Sequence, residues 1–312
     1  MITLKSPVSE SAKNPISLKG VECQIYPDVA LAPFTSYRVG GVAQWYVEPK
    51  TWQDVQEIFA WVEKQQIPFT CLGAGSNLLI SDQGIEGLVI NTRHLKECHI
   101  NEESQTVTVG AGYALPKLAW AGAKKGWQGL EWAVGIPGTV GGAVVMNAGA
   151  HQGCIADVLT SALVAYPDGR IAEVTGADLA YSYRTSNLQQ QSVLVLRASL
   201  QLKGAGSREE MMSLTTHNFK HRKQTQPYDK PSCGSVFRNP QPEAAGRLIE
   251  QLGLKGYQIG GAQVAHRHAN FILNVGNAQA QDIHHLINYV QEKVLASFSI
   301  LLHPEVRMLG DF

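Results

Sequence analysis

No run in the 312 residues approaches the eighteen or so uninterrupted apolar side chains of a membrane span, so no membrane partner is expected. Charge of one sign is not in excess either: 26 Lys and Arg stand against 26 Asp and Glu. A chain without a global basic field does not recruit nucleic acid over long range, and any anionic ligand needs a local cluster. Cysteine is sparse. Cys23, Cys71, Cys98, Cys154 and Cys233 are odd in number, scattered, and form no CxxC pair. That excludes a disulfide framework and a cysteine zinc site, and fits a reduced cytoplasmic location. Residues 1–20 lack an apolar h-region and read as a polar, loosely ordered lead-in rather than a signal peptide.

Several catalytic signatures are missing too. There is no GxGxxG, no Gly-Lys-Ser/Thr, no HExxH and no Gly-x-Ser-x-Gly. A Rossmann fold, a P-loop, a zincin and an acyl-transfer serine elbow are therefore disfavoured. His217-x-x-x-His221 has metal-ligand spacing on a helix, but no third ligand is evident, and no metal is expected. His266, His268, His284 and His285 read as surface groups or anion contacts. No obligate protein partner is evident.

What is present is glycine, in two dense stretches. Gly129 to Gly153 (GLEWAVGIPGTVGGAVVMNAGAHQG) carries almost no charge and is too glycine-rich for an ordinary helix or central strand. It is either a tight packing junction or backbone laid flat against a large planar ligand, with Gly138, Gly141 and Gly142 clearing the space. The second stretch, Gly73-Ala74-Gly75-Ser76-Asn77, follows an apolar strand. It is either a hairpin turn or a nest of N–H groups able to hold a pyrophosphate. Two such turns flanking one α/β domain favour a dinucleotide.

The length suits two or three domains. Ala32 to Val47 alternates like a strand broken at Gly40-Gly41. Thr51 and Asp54 form a capping box, followed by a helix with Trp52, Val55, Phe59 and Val62 on one face and Pro68 as its stop. FTCLGAGSNLLIS and LVINT continue with strand, turn and strand, an α/β unit. TVTVGAG opens a second unit, with a helix from Pro116 to Gly126. Pro167-Asp168-Gly169 marks a hairpin, and Leu194 to Leu202 a strand. Lys203 to Ser207 reads as a linker, so a boundary is placed near 204–208. Beyond it come a polar helix (208–225), a short helix (242–252) capped at Gly253, and strands near 263–264 and 270–275. A last helix shows Ile283, Leu286, Ile287, Val290 and Val294 on one face.

Taken together, LGAGSNLLISDQGIEGLVI, GIPGTVGGAVVMNAGA, YSYRTS, CGSVFRNP and HPEVRMLG, in this order and at these separations, resemble the UDP-N-acetylenolpyruvoylglucosamine reductase family. The resemblance covers roughly residues 20 to 310. It implies an α+β chain with a vanillyl-alcohol-oxidase-type FAD-binding domain (21–205, two subdomains split near 105). A smaller α/β substrate-binding domain (206–312) would follow. The cofactors implied are non-covalent FAD and, as co-substrate, NADPH. The reaction implied serves bacterial peptidoglycan synthesis. NADPH reduces the flavin, hydride passes to the vinyl carbon of UDP-N-acetylglucosamine enolpyruvate, and a proton follows, giving UDP-N-acetylmuramate.

The residues implied are these. Arg184 and Glu305 would stabilise the enol form, and Ser235 would protonate it. Read without the resemblance, Arg184 is a surface ion pair, Ser235 a turn hydroxyl and Glu305 a solvated carboxylate. The flavin would lie on Gly73, Ala74, Gly75, Ser76, Asn77 and Leu78, and on Ile136, Pro137, Gly138, Gly141, Gly142, Asn147 and Gly149. Tyr183, Arg222, Gln226 and Asn239 would meet the nucleotide-sugar. Only 235 − 184 = 51 positions separate Arg184 from Ser235, which fits the subclass lacking an extra tyrosine-bearing loop. Cys233 stands where many relatives have alanine, and a thiol beside the proton donor could be oxidation-sensitive. The rival enzyme reading is an oxidase or dehydrogenase of the same fold acting on an alcohol or sugar. Some of those tether flavin through His or Cys. Ser76 cannot form such a bond, whereas His151 and Cys154 lie near the second stretch.

Overall fold

The computed structural model describes residues 14–204 and 206–312. Positions 1–13 of the expected lead-in lie outside them. Its remainder is not loose: β1 (Ile16–Ser17) pairs antiparallel with β2 (Gln24–Ala30), because Ile16, Leu18 and Val21 have an apolar cluster to join.

The first lobe continues with β3 (Val42–Val47), α1 (Trp52–Gln65), β4 (Phe69–Leu72), β5 (Leu78–Ile80) and β6 (Ile85–Asn91). Its sheet runs β1-β2-β3-β6-β4, with β6 parallel to both β3 and β4. Helix α1 begins at the expected capping box: Thr51 Oγ1 accepts from Asp54 N, and Asp54 Oδ2 accepts from Thr51 N, each at 3.1 Å. Val55, Ile58, Phe59 and Val62 face the sheet, but Trp52 is 45% exposed and does not share that face. The helix ends on Gln66 in the left-handed region, two residues before Pro68. Thr51→Ala should cost about 1 kcal/mol, read as a lower urea midpoint at unchanged m.

The strand expected over Ala32 to Val47 is real only from Val42. A 3₁₀ turn occupies Ala32–Phe34, and Arg38 sits at φ 58°. Here tertiary bonds win over alternation: Ser36 N donates to Gly75 O and Gly41 N to Ser81 O.

The second lobe holds β7 (Cys98–Asn101), β8 (Thr106–Gly110), α2 (Leu115–Lys124), α3 (Val140–Met146), β9 (Gly149–Ala150), β10 (Gly153–Cys154), β11 (Leu159–Ala165), β12 (Ile171–Thr175) and β13 (Leu194–Gln201). Its antiparallel sheet runs β12-β11-β13-β8-β7 and buries one face against α2 and α3. The hairpin at Pro167–Gly169 joins β11 to β12. A two-turn helix, α3, lies within the stretch judged too glycine-rich for one. Thr139 caps it through Gly142 N, and Gly141 N donates to Ala111 O at 2.8 Å. A Cβ on Gly141 would stand 2.7 Å from that of Ala111, so close packing on the sheet explains this glycine.

The remainder comprises α4 (Arg208–Thr225), α5 (Ala245–Gln251), β14 (Gln258–Ile259), β15 (Ala262–Val264), β16 (Ile272–Asn274), α6 (Ala280–Phe298) and β17 (Arg307–Leu309). Helix α4 follows the proposed boundary yet packs back on the second lobe, with Phe219 edge-on to Trp120. The third core gathers α5, the small sheet and the five expected α6 residues around Val236 and Phe237, and also takes Tyr37, Val39 and Leu79 from the first lobe. Strand β17 then returns to pair parallel with β5. No described helix is long and apolar enough to cross a membrane.

Candidate active site

Where the three cores meet, both glycine stretches wall a cavity of about 540 Å³. On the first, Gly75 takes φ 62°, and an added Cβ would come within 2.0 Å of Phe34 O. Ser76 Oγ donates across to Pro137 O at 2.7 Å, which ties the two stretches together. The Asn77 amide turns to the third core and donates to Glu305 O at 3.0 Å. These two side chains are therefore spent on protein. Among the described residues, the N–H groups of Ala74, Gly75, Ser76 and Asn77 donate to no protein acceptor. Four consecutive free donors beside bare glycine backbone fit a pyrophosphate-bearing flavin nucleotide. Gly138 and Gly142 line the same cavity, and a Cβ on Gly142 would find its nearest neighbour only at 3.6 Å.

Asn147 does not line this cavity. It is buried, ends α3 at φ 43°, donates from Nδ2 to Ser182 O at 3.0 Å and accepts from Ala156 N at 3.1 Å. Its amide thus anchors the Arg184 loop. That loop is a tight turn: Ser182 and Thr185 exchange backbone hydrogen bonds of 3.1 Å, with Tyr183 and Arg184 at the tip. Arg184 sits at φ 56°, and Gln189 Nε2 donates to its carbonyl at 3.0 Å. Tyr183 is half exposed, its ring 5.1 Å from the guanidinium carbon of Arg184.

From the tip, Arg184 Nε donates to Glu305 Oε1 at 2.8 Å and Nη2 to Gly149 O at 2.6 Å. The pair is mostly shielded, its side chains 20% and 17% exposed. Burial pushes the Glu305 carboxyl above its ordinary range, against the pull of Arg184 and then Arg238. A carboxyl whose proton is held more tightly in the folded state adds stability below its unfolded pKa. That contribution is lost as pH rises through the folded pKa. Arg184→Met removes the largest opposing charge, so the Glu305 titration followed by ¹³C NMR should move further up; a downward move would contradict this balance.

Ser235 lies on the neighbouring segment. Glu305 N donates to Val236 O at 2.7 Å, and the fully enclosed Asn270 bridges both sides of Phe237. Gly234 takes φ 79°, turning Ser235 toward the cavity it lines. No described protein acceptor takes its hydroxyl. Arg222, Gln226 and Asn239 line the cavity too, with Arg222 Nη2 donating to Gln226 Oε1 at 3.2 Å and Asn239 Oδ1 accepting from Ala245 N at 3.1 Å.

Cys233 is 4% exposed, and burial pushes its thiol up to about 12. Burial that holds the thiol protonated works against the thiolate on which the expected oxidation sensitivity would depend. His151 and Cys154 fall outside the cavity lining; the His151 ring lies edge-on to His221 instead. The sequence reading missed Arg238. Its Nη1 donates to Thr185 Oγ1 at 3.3 Å, and its Nε is buried without a partner among the described residues. Its place within CGSVFRNP was the available signal.

Two family descriptions match the chain: an FAD binding domain over residues 43–175, and the C-terminal domain of UDP-N-acetylenolpyruvoylglucosamine reductase over 226–309. The protein of that name from Synechocystis sp. is 56% identical over 299 residues, covering 95% of this chain and 94% of its own. That of Acaryochloris marina is 57% identical over 290 residues, with 93% and 94% covered. The chain belongs to the UDP-N-acetylenolpyruvoylglucosamine reductase family. A crystal structure of a family member from Thermus caldophilus superposes with TM-score 0.78 at 35% identity, covering 90% of this chain and 98% of that one. Family membership spans all three cores, so the α+β reading holds for the whole arrangement.

Proposed function

We propose that this chain reduces UDP-N-acetylglucosamine enolpyruvate to UDP-N-acetylmuramate with NADPH, using non-covalently bound FAD, in peptidoglycan precursor synthesis. One observation carries the reading. A shielded Arg184–Glu305 pair and the unengaged hydroxyl of Ser235 line the same cavity as the two glycine stretches.

The free amides of residues 74–77 and the backbone around Gly138 to Gly142 would hold the FAD. When bound and reduced by NADPH, FAD supplies the hydride that the terminal vinyl carbon of the substrate receives. Negative charge then spreads over the adjacent carbon and the substrate carboxylate. Arg184, permanently charged and fixed by Gly149 O and Glu305, is placed to stabilise that charge. Glu305 holds the guanidinium in orientation, and its raised proton affinity suits contact with an enol. Ser235 Oγ gives its proton to the carbanion and regains one from solvent. A hydroxyl is a weak acid in water and depends on this preorganised positive field.

Tyr183, Arg222, Gln226 and Asn239 are assigned to the nucleotide-sugar, a reading supported by their place in the cavity lining. The interval from Arg184 to Ser235 holds the eight-residue β13 and the 18-residue α4, which supports the subclass without the extra loop. The nucleotide substrate and NADPH suit a cytoplasmic enzyme.

The test is NADPH oxidation by the purified yellow protein with and without the enolpyruvyl UDP-sugar. Strong dependence on that sugar is expected. Bound flavin with no such dependence would discard the assignment and favour an oxidase.

A further inference from the structure

Asn77 belongs to the first glycine turn, yet its side chain and its backbone carbonyl are both engaged by the third core. Its side-chain Nδ2 donates to Glu305 O at 3.0 Å, and its backbone carbonyl accepts from Arg307 N at 3.0 Å. The next residue, Leu78, pairs with Arg307 in the β5–β17 ladder. From the other side comes Cys233, buried and two residues before Ser235. Its Sγ donates to Leu78 O at 3.2 Å and approaches Gly75 O at 3.7 Å. Finally, Glu305 N donates to Val236 O at 2.7 Å and joins the two segments to each other. Residues 75–78 therefore hold the backbone of Glu305 through an amide and the Ser235 segment through a thiol.

We propose that Asn77 and Cys233 are positioning residues that fasten Glu305 and Ser235 to the cofactor turn, so that filling the turn orders the proton donor and the carboxylate together. The inference rests on the reading of 73–78 as the flavin site and of Ser235 and Glu305 as serving the substrate step. Its physical basis is geometric. The Ser76 amide shares its peptide plane with the Gly75 carbonyl that Cys233 approaches. The Asn77 and Leu78 carbonyls, to which Arg307 N and Cys233 Sγ donate, belong to the next planes along the same short turn, so a ligand that fixes the amides restrains these carbonyls. An S–H is a weak donor, and a hydroxyl in its place keeps the same bond.

The test is hydrogen exchange on the full chain with and without FAD, in the wild type and in Asn77→Asp, Cys233→Ala and Cys233→Ser. In the wild type, FAD should slow exchange at 73–78, 233–237 and 303–307 alike. Asn77→Asp, which keeps the shape and loses the donor, should lose protection at 303–307. Cys233→Ala should lose it at 233–237, and Cys233→Ser should regain it. In parallel, Cys233→Ala should slow substrate-dependent flavin reoxidation roughly tenfold more than the NADPH step, as a small misplacement of a reacting group does, with Cys233→Ser recovering most of the loss. FAD-bound Cys233→Ala protected like the wild type, or no recovery by serine, would overturn the inference alone. Wild-type protein that binds FAD without slowing exchange at 73–78 would overturn the site reading and the inference with it. If Asn77→Asp does not fold, the Cys233 pair decides.

Discussion

Replacing Ser235 by alanine should slow reoxidation of the reduced flavin by the enolpyruvyl UDP-sugar by about 10²–10⁴-fold, while reduction by NADPH stays close to the wild-type rate. The asymmetry follows from the chemistry. Only the substrate step needs a proton on carbon, and the hydroxyl is free to supply it. The surrounding segment is fixed by Asn270 and by the Glu305–Val236 bond, neither of which uses the serine side chain. Alanine therefore removes the donor and leaves the frame. Stopped-flow absorbance of the flavin resolves the two steps separately. Equal loss in both would show that Ser235 supports the cavity rather than the proton transfer.

The second large effect concerns the glycines, and it separates folding from binding. Gly75→Ala should destabilise the protein by roughly 3–5 kcal/mol or prevent folding, the range of strained or overpacked backbone sites. Its φ of 62° disfavours any side chain, and the added Cβ would stand 2.0 Å from the backbone oxygen of Phe34, which cannot swing aside. Gly142→Ala is the contrasting case. Gly142 is helical, its Cβ would meet nothing nearer than 3.6 Å, and alanine should add about 0.5–1 kcal/mol of helix stability. It nevertheless lines the cavity, so the same methyl should weaken FAD binding. The expected outcome is a melting temperature at or above wild type with lower flavin content. A Gly142→Ala protein that holds FAD as tightly as wild type would contradict the view that this backbone is bare to admit the cofactor.

Much of this arrangement was legible where the causes are local. The Thr51–Asp54 capping box and the α6 stripe from Ile283 to Val294 depend on residues within a few positions of each other, and both stand as read. The hairpin at Pro167–Gly169 is of the same kind. Local rules failed where distant partners decide. Phe34 to Gly41 alternates like a strand but is held as a loop by Gly75 and Ser81. Helix α3 forms against propensity because Gly141 can press on Ala111. Helix α4 follows a linker-like stretch, yet its apolar residues find their partner in α2.

The site shows the same division. The glycine turn announced a phosphate nest, but the tasks of Ser76 and Asn77 depend on acceptors 61 and 228 positions away. The Arg184–Glu305 pair spans 121 positions, and residue pattern alone would have left both on the surface. Asn147 was assigned to the cofactor by its place in a motif, whereas its amide holds the loop that carries Arg184.

The most direct measurement of the central claim is anaerobic. The enzyme is reduced with one equivalent of NADPH, mixed with the enolpyruvyl UDP-sugar, and followed by flavin absorbance and product mass. The relay predicts full return of the oxidised flavin spectrum without oxygen, with one UDP-N-acetylmuramate formed per flavin. Flavin that stays reduced until air is admitted, with the sugar unchanged, would contradict it.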